Sequence, residues 1–553
     1  MWEASPGIYV FDMGQNFSGV ARLKVNGPRG TEIYIRHAEN LYEDGRLDIR
    51  TNNNATNMDR YILKGEGEEI YEPYFVYHGF RYVEIRAYPG NPTLDCIEGR
   101  VLHTDSLQTG EFRCSNELVN HIHHCTVWSQ RSNMMGLPTD NNQRDERLGW
   151  MADGHLAAEQ FMHNFEPMNF YRKWLRDIKY SQDKEGNIPF IVPRPFFESG
   201  TPAWSSAYPL VTWYLYKYSG DKQILEDHFE AIAAYVDYLT SVSKNYILPI
   251  DRYGDHLSIA AGFRRGSPEL CSTFYYYYDT VLLSKMAGIL GLEDKKQQYS
   301  QLAERIQDAF NLKFFDKKNN SYGSGSQCEQ ILPLSCNIES EGLRNAILDK
   351  LIADITVKNQ GHLRVGIIGA KVALDLLMME NRHDVIWDWA TKTEYPSLGY
   401  MVNGYTTLSE TWQKTGTNNH VMWGNIDTWF YQGLAGIQAA PETAGYQKIL
   451  IKPYFPDDLQ WVKAAIHTLR GRISSSWQRK NDGMQLDVSI PSNTTSEIHL
   501  PMELLQRKSI SEGDSIIWNG AFLPGSNGIL DAKQLDDLIV ISVGSGKYTF
   551  NWK

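Results

Sequence analysis

Long apolar runs are missing from this chain: no stretch of 18 apolar residues occurs, so no membrane-spanning helix and no membrane partner are expected. The opening MWEASPGIYVFDMGQ lacks a basic segment followed by an apolar run. No secretory signal is therefore visible, and a cytoplasmic location is expected for the chain as written. Cysteine is scarce, six in 553 residues, without zinc-type Cys-x-x-Cys pairing. That excludes a disulfide scaffold and predicts reduced core thiols. Clustered Lys and Arg are absent and the formal net charge is −12, which excludes an extended nucleic-acid surface. No Ser-His-Asp arrangement, phosphate loop or dinucleotide fingerprint appears, so no cofactor is expected.

What is abundant is aromatic: 15 Trp and 32 Tyr, within a hydrophobic content of 42% and a charged content of 22%. These are the proportions of a globular protein rich in large amphipathic rings. A chain this long exceeds one ordinary core, so two or three domains are expected. From residue 7 to about 105, short β-like runs such as TEIYIRHAE and RYVEIRAYPGNP alternate with turn signals. Between 112 and 437 the texture changes to helix-length segments such as QILEDHFEAIAAYVDYLTSVS, about twelve in all, compatible with six helical hairpins closed into a ring. The β texture then returns in KILIKPYF, MQLDVSI and DLIVISVGSGKYTFNW. The expected fold is a multidomain α and β chain, an (α/α)6 barrel over 109–438 flanked by an N-terminal β-sandwich over 1–108 and a C-terminal β-sandwich over 439–553.

Chemistry concentrates in PTDNNQRDERLGWMADGH, residues 138–155, where Asp140, Arg144, Asp145, Glu146, Arg147 and Asp153 surround Trp150. Cleaving a glycosidic bond takes a carboxylic acid to protonate the leaving oxygen and a carboxylate to activate water or attack the anomeric carbon. Glu146 is the first candidate, at the entry to a helix expected to run on through LGWMADGHLAAEQFMHNF; the bland alternative is an acidic helix start whose arginines pair with neighbouring acids. Asp140 can join Glu146 and Asp153 only if it lies in the loop. Glu410 in GYTTLSETWQKTG is the second candidate, with a helix-start glutamate as its alternative. NHIHHC offers His121, His123, His124 and Cys125, but without a second ligand pair their spacing sends them several ways, and a metal is not expected. STFYYYYDT reads as inter-helix packing with a Tyr hydroxyl or two reaching polar partners.

Residues 136–155, together with GYMVNGYTTLSETW and WFYQGLAGI, resemble the bacterial α-L-rhamnosidases of glycoside hydrolase family 78. The likeness runs nearly end to end, through YEPYFVYHGFRYVEI before the helical region and GHLRVGIIG within it. It implies an inverting exo-glycosidase that releases terminal α-L-rhamnose, with Glu146 as general acid and Glu410 as base. Asp140, Arg144, Trp150 and Asp153 would hold the sugar, joined by Trp204 of TPAWSSAYP, by Trp412 beside the base and by His420. His256 stands where the family frequently has Trp, Asn141 and Asn142 where it commonly has Cys-Pro, Ser205 and Ser206 where it often has Gly-Asp, and Ser409 and Thr411 where Trp and Arg are commoner. These departures predict a rebuilt pocket rim with an altered specificity. The rival readings are an (α/α)6-barrel glycosidase with another sugar preference and a carbohydrate-binding protein without turnover. A rhamnose-containing carbohydrate is the expected partner; a homodimer is left open.

Overall fold

The computed structural model describes residues 1–194, 200–249, 252–259, 268–340, 342–481, 483–504 and 509–552. A helical domain is flanked by N-terminal and C-terminal β-sheet domains.

The N-terminal sheet is organised by one 19-residue strand, Ile8–Asn26. Its pairing register shifts between Asp12 and Phe17, and the strand continues. Its first half pairs with Trp2–Ser5 and its second half with Glu68–Tyr71 and Ile97–Val101, while His78–Arg86 runs along much of its length. Such an irregularity bends a strand without ending it, so one strand pairs with several neighbours of one seven-stranded sheet. Phe11, Phe17, Leu23, Ile33, Ile35, Phe80, Val83 and Ile85 form a separate buried core.

The helical domain runs from Glu117–Ser132 through paired helices such as Gln223–Val242, Pro268–Ile289 and Glu293–Phe314 to Ile426–Trp429. Glu117–Ser132 starts where Asn116 accepts from the Leu118 and Val119 amides, satisfying donors that a helix start leaves free. Helix Met151–Leu156 carries Gly154 because the Trp174 ring lies against it: a Cβ there would sit 2.3 Å from that ring. In STFYYYYDT, Tyr275, Tyr276 and Tyr277 are buried, and the Tyr276 hydroxyl lies 2.7 Å from the Thr240 hydroxyl.

The C-terminal sheets contain seven and five strands. Strand Gly110–Cys114, which texture alone placed at the barrel's edge, pairs along Trp461–Thr468 of the seven-stranded sheet. Ile437–Ala439 likewise opens the five-stranded sheet. The chain thus leaves the seven-stranded sheet to build the helical domain and returns through the five-stranded one, which fastens the two domains at both ends of the helical segment. The six cysteines are unpaired and five are buried. Among the described residues no helix is long and apolar enough to cross a membrane.

Candidate active site

The acidic motif is a loop, not a helix start. Helix begins only at Met151, after Trp150 in extended backbone. Asp140 enforces this: its amide donates to the Leu148 carbonyl at 3.0 Å and its carboxylate accepts from the Leu148 amide at 2.8 Å. The intervening residues are thereby closed into a loop that includes Arg147 at φ 52°. Helical spacing would have separated Asp140, Glu146 and Asp153. The loop brings all three to the wall of one cavity of about 80 Å³.

Arg144 organises that cavity. Its Nε donates to Glu146 Oε2 at 2.7 Å, its Nη1 to Glu410 Oε2 at 2.8 Å, and its Nη2 faces Glu146 and, at 3.7 Å, Asp140. The planar fork of a guanidinium suits this task, which a single ammonium could not perform. Trp150 Nε1 donates to the other Glu146 oxygen at 2.6 Å. Glu410 sits on a second loop whose backbone pairs Glu410 N with Thr417 O at 2.9 Å, and the Thr417 amide donates to its carboxylate at 3.1 Å. It too lies outside any helix. Gly416 stands against it at φ +80°, where a Cβ would fall 2.2 Å from Glu410 Oε2.

Burial pushes the Glu410 carboxyl up, but His420, Arg144 and the Thr417 amide outweigh it and hold it below the ordinary value. His420 is itself pushed down to about 4 by burial, so near neutral pH it is uncharged and Arg144 and the amide do the holding. Asp153, buried on the cavity wall, is raised by burial to about 7, and its carboxylate lies 3.7 Å from His420 Nε2. Asp140 is raised by burial and then by the charges of Glu146 and Asp153. Arg144 is raised despite burial by the three carboxylates it faces, so it is a fixed charge.

Trp204 and His256 both line the cavity, their rings edge to face at 6.0 Å. The Trp204 indole N–H is buried and has no hydrogen-bond partner among the described residues. His256 is positioned from below: the Asp255 carboxylate accepts from the Gly366 and Gly369 amides at the start of helix Ile367–Met379, at 2.7 and 2.9 Å, and the His256 carbonyl accepts from Ile367. Nine of the ten candidate residues line the cavity; Trp412 does not. It is 1% exposed, packs on Trp423 at 4.2 Å and donates to the Val365 carbonyl at 3.3 Å. It belongs to the core beneath the Glu410 loop.

The expected rebuilt rim is also corrected. Ser205 and Ser206 are wholly buried, donating to the Ile188 carbonyl at 2.7 Å and to Asp279 at 2.6 Å. Ser409 is buried and donates to Asn418, while Thr411 bonds Thr415. Asn141 and Asn142 are buried in the acidic loop, Asn141 donating to Asp140 and Glu146. Of these departures only His256 lines the cavity. Sequence reasoning missed Tyr253, Leu257, Ile367 and Met422, which also line the wall. All are apolar or aromatic neighbours of motif residues, and nothing in their type sets them apart from core. In NHIHHC, His121 faces the Val402 carbonyl, His123 faces Asp427 and His124 faces Gln15, so the imidazoles diverge.

Both loops are clamped by the N-terminal domain, which no motif announced. Asn57 accepts from Arg147 at 3.0 Å and donates to the Gln143 carbonyl, and Asn54 donates to Asp145 at 3.0 Å. On the other loop, Glu39 accepts from the Asn418 amide at 3.0 Å and from Asn16 at 2.9 Å, and the Asn16 amide donates to Thr406 Oγ1 at 2.9 Å. Burial raises Glu39 to about 7.

Three family models match in order: the bacterial α-L-rhamnosidase concanavalin-like domain over residues 3–103, the six-hairpin glycosidase domain over 107–434 and the C-terminal domain over 436–514. The chain belongs to the bacterial α-L-rhamnosidase family. Among members, the α-L-rhamnosidase of Streptomyces avermitilis is 33% identical over 99% of this chain and 52% of its own length, and one from Formosa agariphila is 30% identical over 89% and 55%. The α-L-rhamnosidase structure from Dictyoglomus thermophilum superimposes with a TM-score of 0.94 at 42% identity, covering all of this chain and 62% of its own. The Streptomyces avermitilis enzyme complexed with L-rhamnose superimposes at 0.92, covering 100% and 52%. The chain therefore spans little more than half the length of these family members.

Proposed function

We propose that the chain is an inverting exo-glycoside hydrolase that releases terminal α-L-rhamnose from rhamnosides. The observation that carries this reading is one guanidinium, Arg144, tying Glu146 and Glu410 together at a small aromatic-walled cavity. At about 80 Å³ the cavity is far below the ~300–1,000 Å³ of sites for larger ligands, which suits one terminal ring rather than a chain. Family membership and the L-rhamnose held by the Streptomyces avermitilis relative support the choice of sugar.

In this reading Glu146 protonates the leaving oxygen and Glu410 draws a proton from the attacking water. The two need opposite protonation states. Arg144 and the Thr417 amide favour the ionised base, and Trp150 fixes the orientation of the acid. Trp204 offers its unpartnered N–H to a sugar hydroxyl, and Asp140, Asp153 and His420 supply further polar contacts. Tyr253, Leu257 and Ile367 give the apolar surface that a deoxysugar methyl requires, so His256 in place of a larger ring leaves that contact in place.

The test is hydrolysis of p-nitrophenyl α-L-rhamnopyranoside by wild type, Glu146→Gln and Glu410→Gln, with proton NMR of the first anomer formed. The expected outcome is release of the inverted anomer and a rate loss of about 10²–10⁴-fold in each variant. A retained anomer, or variants as fast as wild type, would reject the assignment. Turnover on a different aryl glycoside alone would move the chain to a different sugar on the same scaffold.

A further inference from the structure

Three adjacent strands of the N-terminal sheet each bring one metal-ligating side chain to the same buried spot. Glu32–Ala38 lies between His78–Arg86 and Met58–Ile62; it supplies His37, and its neighbours supply His78 and Asp59. His37, His78 and Asp59 are 0%, 4% and 8% exposed, and one donor atom from each lies within 4.8 Å of the others. The imidazole rings stack at 4.1 Å, so their edges face the carboxylate together. His78 Nε2 is 3.1 and 3.2 Å from the two Asp59 oxygens, and His37 Nε2 is 4.0 Å from one of them. Donors bound at ~2.0–2.1 Å around a tetrahedral zinc stand ~3.3 Å apart, a value that these separations bracket.

The hydrogen bonds behind the rings decide which atoms are free to bind. His37 Nδ1 is 3.1 Å from the Asn57 carbonyl, which only accepts, so Nδ1 carries the hydrogen and in the neutral ring Nε2 is a lone pair. That Nε2 is buried with no hydrogen-bond partner among the described residues. His78 Nδ1 is 3.4 Å from Asn57 Oδ1, an oxygen that also accepts from Arg147. Donation there turns the second Nε2 lone pair toward the Asp59 carboxylate, and the two repel unless a positive charge lies between them. A proton on His78 Nε2 answers that repulsion alone. A cation answers it and also meets the bare Nε2 of His37, while each ring keeps its far N–H on an oxygen, the arrangement that orients metal-bound histidines. Two imidazole nitrogens and one carboxylate suit zinc, whereas calcium and magnesium take oxygen ligands.

We propose that His37, Asp59 and His78 form a zinc site that braces the Glu146 loop through Asn57. Asn57 backs both imidazoles and also bonds Arg147 and the Gln143 carbonyl of that loop. Gly79, next to His78, touches the loop directly: a Cβ there would fall 2.2 Å from Asn142 Oδ1. The site needs no turnover, so it stands or falls apart from the rhamnosidase reading.

The test is zinc binding by the intact chain, free of any affinity tag and first stripped with a chelator. Bound metal, counted by plasma mass spectrometry after gel filtration, is expected at one equivalent per chain for wild type and none for His37→Gln. His124→Gln, which removes the exposed imidazole of NHIHHC, should keep the full equivalent. Zinc about a hundredfold above its Kd should raise the wild-type melting temperature by about 5 °C and leave His37→Gln unmoved. Amide hydrogen exchange over residues 140–148 should slow when zinc is added to wild type, and unchanged exchange would overturn the bracing. If His37→Gln folds poorly, nitrogen-15 spectra of histidine-labelled wild type decide without a variant. Zinc should then shift two imidazole Nε2 signals, both from rings whose Nδ1 stays protonated. Zinc well short of one equivalent, an equivalent that survives in folded His37→Gln, or unmoved Nε2 signals would overturn the site and leave His78 as an imidazolium paired with Asp59.

Discussion

Arg144 is the residue on which the candidate site turns. Replacing it with lysine keeps the charge but loses the fork that reaches Glu146 and Glu410 at once. Arg144→Lys is expected to lower kcat about 10²-fold and to move the acidic limb of the pH profile upward, because the hydrogen bond from the guanidinium then no longer helps to hold Glu410 ionised. A pH series of kcat/KM checks both, and an unmoved limb would mean that Arg144 does not set the base. Trp204 offers a contrasting case. Its buried N–H has no partner among the described residues, so Trp204→Phe removes a donor without breaking a described bond in the fold. We expect kcat/KM to fall about tenfold, the ~1.4 kcal/mol of one good hydrogen bond, with the melting temperature unchanged or raised. A marked loss of stability would return the indole to the core.

At the scale of elements, both loops that carry the candidate carboxylates are irregular backbone held from outside. Glu39 accepts from the Asn418 amide and Asn16, and Asn418 adjoins Thr417, whose amide faces Glu410. Glu39→Leu leaves those buried donors unmet, at a cost of about 1–3 kcal/mol. It should lower both thermal stability and kcat, whereas Glu39→Gln keeps an acceptor oxygen and should retain most of each. Parallel denaturation and rate measurements decide; equal behaviour of the two variants would show that the acceptor does not hold the loop. The same scale shows where sequence reading stopped. Periodicity marked Gln223–Val242, because an amphipathic or buried helix writes its period into the chain. It extended the helix of Met151–Leu156 back toward Glu146, because the Asp140–Leu148 pairing that opens the loop depends on a side-chain contact and not on a period. Trp412 was misplaced for a related reason: a tryptophan next to a candidate base looks the same in sequence whether it faces sugar or core.

For the whole molecule, the buried carboxyls make stability depend on pH. Asp153 is raised to about 7 in the folded chain, while an unfolded aspartate titrates near 3.9. Between those values the folded state binds the extra proton, so this group's contribution is fully present below about pH 4 and lost as pH rises through 7. Asp153→Asn should flatten the corresponding fall in stability by up to about 1.4 kcal/mol per pH unit, as read from urea denaturation at several pH values. An unchanged slope would show that Asp153 is not protonated in the fold.

The division of labour between sequence and structure follows from the range of the forces involved. Composition, turn spacing and hydrophobic period determined the order β, helical, β, because each is written in residues close along the chain. The motifs determined the candidate carboxylates, because the chemistry needs those residue types. Only the tertiary structure decided that Arg144 joins Glu146 to Glu410, two glutamates far apart in the chain. It alone placed Ser205 and Ser206 under the pocket and not on its rim, and brought Glu39 and Asn57 of the first domain to hold loops of the second. Contacts between residues so distant in sequence have no local signature, since what selects them is the packing of whole domains and the need of each buried polar group for a partner.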